Sequence, residues 1–219
     1  MISRQIDKKP LSDQVTDILR RRIVSGALPA GTPLKQEELK DNFGISMGSL
    51  REALRTLHSD GLVTIAPNRG AQVSELSAAE AEDIYDIRLF LEMGALDLAL
   101  PRLNPKDLNA AEKILARMDA AREAAKWSGL NRQFHEAIYQ SAGRPRLLEL
   151  IGTLHDNVGR YLCLYLDTMN YQARSQDEHH QFLEALARKD NEAAKLILHG
   201  HLEAARESLV GYLRSKETA

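Results

Sequence analysis

Two arginines stand one helical turn apart in a stretch with the periodicity of an amphipathic helix. Arg51 and Arg55 follow Ser46 and Ser49, which begin the same stretch. A guanidinium group can clamp guanine or a phosphate, and serine hydroxyls suit phosphate oxygens. These four side chains predict contact with DNA through the start of a helix. The alternative is that the two arginines only form the solvated face of a surface helix.

The helices and strands around these residues must hold them where they can contact DNA. Apolar periodicity and turn residues predict helices over 11–25 and 36–43, a third helix capped by Ser46, and β-prone runs over 62–65 and 71–73. Gly44 and Ile45 form the short turn before the third helix. The turn between the β-prone runs offers Asn68 and Arg69, and an arginine there commonly enters a minor groove or contacts the backbone. Three helices and a hairpin describe a winged helix-turn-helix, whose third helix enters the major groove.

The rest of the chain is rich in Leu, Ala and Glu, and aromatic residues make up only 5% of the whole. Ser77 and Glu80 predict a capping box, after which helical patterns continue. Breaks are predicted at Pro101, Asn104-Pro105, Ser128-Gly129, Gly143-Arg144-Pro145, Asn170 and Lys189-Asp190. They delimit roughly six or seven helices, which suits an all-α bundle. The sequence therefore predicts a mainly α protein, with an N-terminal winged helix-turn-helix domain over 1–75 and a C-terminal all-α helical bundle over 76–219.

Length, charge and cysteine content limit the classes of protein to which the chain can belong. The 219 residues suit one large domain or two small ones, and the single cysteine excludes a disulfide framework. Residues 1–75 carry 11 Lys and Arg against 9 Asp and Glu, whereas residues 76–219 carry 18 against 22. No apolar run reaches the ~18 residues that a membrane span needs, and the first ten residues lack the apolar core of a secretory signal. We expect a cytoplasmic protein with no membrane partner.

Two sequence segments carry a family resemblance in the N-terminal part. Residues 44–63 read GISMGSLREALRTLHSDGLV, and residues 23–31 read IVSGALPAG. Together they resemble the signature of GntR-family transcription regulators and the segment that leads into it. The resemblance implies a homodimer that binds a palindromic double-stranded operator. Family members usually carry Arg and Thr at Met47 and Gly48, and often Pro at Ser49, so the resemblance implies a different operator sequence here.

Three local patterns in the C-terminal part, the last of them made of two separate pairs, resemble the FCD subfamily of these regulators. They are YDIRLFLE over 85–92, NRQFH over 131–135, and the pairs EH at 178–179 and HL at 201–202. In many FCD members an Asp and three His bind a divalent metal. The resemblance therefore implies Asn131, His135, His179 and His201 as ligands of Zn, Ni or Mn. Asn131 stands where the family has Asp, and its amide oxygen can ligate but brings no negative charge. The alternative is that these histidines are exposed or packed in the core.

Effectors in this subfamily are often small carboxylates or sugar acids. Arg88 would hold such a carboxylate because its planar fork matches the anion. The alternative is a helix-surface arginine paired with Glu92. Asn157 and Arg160 are further candidates for lining the effector cavity, and His155 is expected at the surface.

The prediction is a ligand-responsive DNA-binding regulator, a repressor more than an activator, whose C-terminal domain senses a small carboxylate with or without a bound metal. One alternative is a constitutive DNA-binding protein with a metal-free helical dimerisation domain. The other is a metal-dependent enzyme. Against an enzyme, the chain has no phosphate-binding loop and no second histidine at the H-E-x-x-H offset from His135.

Overall fold

Three helices and a small sheet form the first unit of the chain. A computed structural model describes residues 9–66, 70–169 and 171–217, and it describes only the backbone of 162–169 and 171. The elements of the first unit are α1 (Leu11–Val24), β1 (Pro33–Leu34), α2 (Gln36–Phe43), α3 (Met47–Ser59), β2 (Val63–Ala66) and β3 (Gly70–Val73). These bounds confirm the predicted order of three helices followed by a hairpin.

The turn between α2 and α3 follows from local backbone chemistry. Gly44 ends α2 in the left-handed region, with φ of 63°, where a residue without Cβ is favoured. Ser46 begins α3, and its side-chain oxygen accepts a hydrogen bond from the backbone N–H of Ser49. Both residues fix the angle at which α3 leaves α2.

The sheet has a third strand that the sequence does not predict. Residues 29–33 predict a turn or an extended link, but β1 pairs antiparallel with β3, so that the strand order is β1-β3-β2. Leu34 lies opposite Ala71 in this pairing, and both side chains are buried. The strand is only two residues long, which is too short to show an alternating pattern.

Apolar side chains from α1, α3 and the sheet make one core under the helix-turn-helix. It includes Val15, Leu19, Ile23, Leu34, Leu50, Leu54, Leu57, Val63 and Val73. On α3 these positions recur every three or four residues, so one face of the helix is buried and the opposite face is left to solvent.

The second unit begins after Glu75 and contains only helices among its described residues. They are α4 (Ala78–Ala99), α5 (Pro105–Asp119), α6 (Ala124–Tyr139), a 3₁₀ turn (Gln140–Ala142), α7 (Pro145–Met169), α8 (Tyr171–Ala187) and α9 (Asn191–Glu217). Ser77 and Glu80 form the predicted capping box of α4. The mainly α architecture is therefore confirmed.

One predicted break in the bundle is wrong. Ser128-Gly129 lies inside α6, and the chain instead leaves the helix between α5 and α6 over 120–123. Trp127 and Leu130 on either side of the glycine are buried, while Gly129 is exposed. Packing of the two apolar side chains thus outweighs the modest helix cost of one glycine. The break predicted at Asn170 falls outside the described residues.

None of the helices in the described ranges is long and apolar enough to cross a membrane.

Candidate functional site

The exposed face of α3 carries the two arginines predicted to contact DNA. Arg51 and Arg55 are both exposed, and neither forms an ion pair with any residue in the described part of the chain. Ser49 is half-buried and Ser46 is exposed, and their hydroxyl oxygens lie 3.0 Å apart at the helix start. Free backbone amides at a helix N-terminus favour phosphate, so this end of α3 can receive a DNA backbone. Asn68 and Arg69 lie outside the described residues.

Three histidines from three helices meet inside the second unit. His135 on α6, His179 on α8 and His201 on α9 each offer a ring nitrogen, and these nitrogens all lie within 4.8 Å of one another. The Nε2 atoms of His135 and His179 are 3.2 Å apart. All three residues are buried, with at most 4% of their surface exposed. This is the spacing at which imidazoles could share one metal ion.

Neighbouring groups set which nitrogens carry the lone pairs. The Nδ1 of His201 lies 2.8 Å from the Glu178 carboxylate, which only accepts, so His201 donates there and keeps its Nε2 lone pair. Tyr139 donates its hydroxyl proton to Glu92, so the same oxygen can accept from Nδ1 of His135 at 3.4 Å. Both arrangements leave Nε2 available as a metal ligand.

Two orphaned polar atoms mark the same region. Nδ1 of His179 is buried and has no hydrogen-bond partner among the described residues, and neither has Oδ1 of Asn131. Asn131 lies one turn before His135 on α6, so the two side chains share a helix face. Buried polar atoms in proteins usually have a partner. The residues therefore fit a divalent cation, although Asn131 supplies no charge to it.

Burial favours the neutral form of His135 and His179. It lowers the pKa of His135 and His179 well below the ordinary value of 6.5, and the neighbouring His201 lowers both further. A neutral imidazole is the form that binds a metal.

In metal-free protein, we expect the free energy of unfolding of the second unit to fall as the pH drops below about 6.5. The folded pKa values of His135 and His179 are depressed, so the unfolded chain binds protons that the folded chain does not. The stabilisation is complete above the unfolded pKa and is lost towards the folded pKa, at up to about 1.4 kcal/mol per pH unit for each histidine. Urea unfolding with chelator present, followed by circular dichroism, measures this slope. An equally steep slope in a His135→Ala, His179→Ala double variant would contradict it.

Arg88, the predicted carboxylate-binding group, lies in a buried hydrogen-bond network. It is buried, and its Nε donates to the carboxylate of Glu92 at 2.8 Å while its Nη2 donates to Nε2 of His155 at 3.0 Å. Glu92 is fully buried and also accepts from Tyr139 at 2.9 Å. Burial alone would raise the pKa of Glu92, but the charge of Arg88 and the nearby His155 hold it well below its ordinary value. The Arg88 charge is thus largely balanced within the protein.

His155 was expected at the surface, and this prediction is wrong. Its side chain is 7% exposed and lies between Arg88 and a small cavity of about 20 Å³, which also reaches His135. A cavity of this size holds about one water molecule. Arg132 forms an ion pair with Asp156 and helps to line the cavity, close to Gly152. A Cβ at Gly152 would stand 2.8 Å from the Arg132 guanidinium, so glycine makes room for that side chain.

Further polar side-chain atoms are buried in the second unit, among them those of Arg160 on α7. Arg160 is 3% exposed, and its Nε and Nη1 have no hydrogen-bond partner among the described residues. Oδ1 of Asn157, one turn earlier, and the hydroxyls of Tyr85 and Ser175 are likewise buried without a described partner. The guanidinium carbon of Arg160 lies 5.0 Å from the Tyr161 ring centroid. Burial lowers the pKa of Arg160, and the nearby Tyr161 and Glu80 offset this effect only in part.

Sequence reasoning missed several of these residues. Tyr85, Tyr139, Ser175 and Glu178 were not singled out, because each has an ordinary residue type for a helix. Glu178 stands directly before His179, and a carboxylate beside a candidate metal ligand is the signal that could have identified it.

Known protein families match both halves of the chain. The family model for "Bacterial regulatory proteins, gntR family" matches residues 11–73, and the FCD domain model matches residues 83–204. The HTH-type transcriptional regulator McbR of Escherichia coli is 31% identical over 193 residues, which cover 86% of this chain and 87% of McbR. The gluconate operon transcriptional repressor of Bacillus licheniformis is 29% identical over 84% of this chain and 79% of its own length.

The fold is similar to that of a solved relative. The structure of E. coli McbR/YncC superposes with a TM-score of 0.78 at 28% identity, covering 90% of this chain and 95% of the other. The relatives of this chain are DNA-binding transcription regulators and not enzymes. The chain belongs to the GntR family of bacterial regulatory proteins and carries an FCD domain.

Proposed function

We propose that this regulator is a ligand-responsive repressor, a homodimer that binds a double-stranded operator in the cytoplasm and changes its affinity when a small carboxylate binds its helical domain. One observation carries the proposal: the buried Arg160, with two nitrogens unpartnered among the described residues. A buried guanidinium whose charge is only partly balanced is unfavourable, and a carboxylate offers it a bidentate partner. In support, one relative is named for a gluconate operon, and gluconate is a small hydroxycarboxylate.

Other buried polar groups of the same unit could serve the same ligand. Asn157 and the hydroxyls of Tyr85 and Ser175 are available to hydrogen-bond carboxylate or hydroxyl oxygens. The charge of Arg88 is balanced by Glu92, so its first proposed role is to orient His155 and Glu92. Its second proposed role is direct contact with the effector. Asn131, His135, His179 and His201 would hold Zn, Ni or Mn, which when bound would supply a Lewis acid for one oxygen of the effector.

A melting screen tests the effector class. Ligands that bind only the folded state raise the melting temperature. We expect a rise with one or more mono-, di- or hydroxycarboxylates, and no rise with the corresponding amides at the same concentration. An equal rise with acids and amides would contradict recognition of a carboxylate by Arg160.

The competing candidate is a constitutive DNA-binding protein with a metal-free dimerisation domain. The observation that favours it is Asn131, which brings no charge to the histidine cluster. Under this alternative no ligand changes the affinity for DNA.

For the operator contact, we expect Arg51→Ala to weaken binding by about 1–3 kcal/mol if Arg51 contacts a base. An operator selected from a random duplex library, followed by fluorescence anisotropy, provides the assay. Arg117→Ala, which removes an exposed arginine from α5, is the matched control and should leave affinity unchanged. An unaltered affinity of the Arg51 variant, with the same salt dependence, would exclude this role.

A further inference from the structure

The helical domain has an open cavity that shares no residue with the histidine cluster or with Arg160. It has a volume of about 770 Å³ and is lined by residues from the end of α4, the first half of α5 and the second half of α8. Small-molecule sites in proteins commonly have volumes of about 300–1,000 Å³. The apolar part of the lining includes Leu100, Leu103, Leu108, Leu183 and Leu186. The cavity therefore has room for a small organic molecule with an aliphatic body.

Two charged side chains of this lining have no partner of opposite charge among the described residues. They are Glu112 on α5 and Lys189, which follows the end of α8. The other ionisable groups of the lining already have partners, because Glu184 pairs with Arg188 and His180 contacts a carboxylate of α5. The cavity thus offers one negative and one positive group beside an apolar wall. A zwitterion with an aliphatic body would satisfy all three.

Lys189 occupies a backbone position at which glycine would be favoured. Its φ is 58°, and no other residue except glycine has a positive φ in the described part of the chain. The backbone N–H groups of Lys189 and Asp190 close the end of α8, donating to the carbonyls of Leu186 and Ala185 at 3.1 and 2.9 Å. Helix ends of this kind usually carry glycine, because a Cβ is disfavoured in the left-handed region. Local structure does not account for a lysine here, whereas an ammonium group in the lining of the cavity does.

We propose that this cavity binds a zwitterion with an aliphatic body, that is, an apolar α-amino acid or a short apolar peptide. The ammonium group of the ligand pairs with the carboxylate of Glu112, and its carboxylate pairs with the ammonium group of Lys189. The aliphatic body packs against the leucines, and its removal from water favours binding. The two opposite charges fix the orientation of the ligand. The site is separate from the one proposed at Arg160 and does not depend on it.

Isothermal titration of the full chain with leucine and with leucyl-leucine measures binding, and the tighter ligand identifies the source of the zwitterion. We expect N-acetyl-leucyl-leucine and leucyl-leucinamide, which each lack one charge, to bind at least about tenfold more weakly than leucyl-leucine. Equal affinity for the blocked and unblocked peptides would overturn the proposal. So would the absence of binding by both leucine and leucyl-leucine at millimolar concentration.

Repeating the titration on Arg160→Met separates this site from the proposed effector site. The affinity for the zwitterion should be the same as in the wild type, because Arg160 does not line the cavity. Loss of binding in Arg160→Met would assign the ligand to the effector site and overturn the proposal.

Removal of each charge tests the two contacts. Lys189→Gln and Glu112→Gln should each weaken binding of the zwitterion at least about tenfold. Lys126→Gln and Glu149→Gln are the matched controls, because each removes one exposed charge outside the lining. Unchanged affinity in either cavity variant would contradict the contact assigned to that residue.

A glycine at position 189 distinguishes ligand binding from a structural role. Lys189→Gly relieves the backbone, so the melting temperature of the ligand-free protein should stay the same or rise. The same variant should bind the zwitterion at least about tenfold more weakly. A lower melting temperature would give Lys189 a structural role instead, and wild-type affinity in this variant would exclude its side chain as a ligand-binding group.

Discussion

Replacing His135 and His179 together with alanine will abolish retention of a divalent metal. The two Nε2 atoms are 3.2 Å apart in a fully buried cluster, and His201 with Asn131 cannot hold an ion alone. Structural sites usually need about four ligands, so loss of two removes most of the binding free energy. Elemental analysis of protein purified without chelator or histidine tag should fall from about one ion per chain to none.

The matched control keeps the number of removed histidines constant. His180→Ala with His199→Ala removes two exposed imidazoles from the same unit and should leave metal content unchanged. Retention of metal by the His135, His179 double variant would refute this ligand set. A wild-type protein that binds none of Zn, Ni and Mn when each is supplied would refute the site itself.

A substitution of Asn131 should strengthen metal binding at the same site instead of abolishing it. Asn131→Asp adds a negative charge one turn before His135, and we expect metal affinity to rise at least about tenfold, which corresponds to about 1.4 kcal/mol. Isothermal titration on stripped protein compares the two chains. An unchanged affinity would show that residue 131 does not ligate the ion.

The second large effect concerns Arg160. Arg160→Met should remove the carboxylate-induced rise in melting temperature, since loss of a buried charge partner typically costs 2–5 kcal/mol, or roughly thirtyfold to several thousandfold in affinity. Methionine keeps most of the side-chain volume. Without ligand the same variant should be more stable than the wild type, because the buried charge that it removes is balanced only in part by Glu80 and Tyr161.

These two opposite changes separate effector binding from simple loss of structure. Urea unfolding measures the stability of the ligand-free protein, and the melting screen measures the ligand response. Arg117→Met serves as the surface control for both measurements. A variant that is less stable without ligand, or that keeps the full response to carboxylates, would contradict the role given to Arg160.

The DNA-binding half was largely predictable because its structure is set by local rules. Gly44 ends α2, Ser46 caps α3, and the apolar positions of α3 follow the helical period. Strand β1 escaped prediction because a two-residue strand exists only through its pairing with β3. Its one buried side chain, Leu34, carries no periodic signal.

The interior of the helical domain was harder to predict because its polar residues are buried. An Arg and a Glu four residues apart, such as Arg88 and Glu92, are more often a solvated ion pair on a helix surface. Here they are buried because His155 and Tyr139, distant in sequence, complete their hydrogen bonds. Such compensation depends on tertiary contacts, and therefore His155 also looked like a surface residue.

The most direct test of the account is the affinity of the full chain for its selected operator, measured by anisotropy with and without the carboxylate that raises its melting temperature. We predict that the carboxylate weakens operator binding at least about tenfold, because an effector acts only by binding the two states of the regulator with different affinity. The same carboxylate should leave the operator affinity of Arg160→Met unchanged. Operator affinity that is identical with and without the carboxylate would contradict ligand control and would identify a constitutive DNA-binding protein.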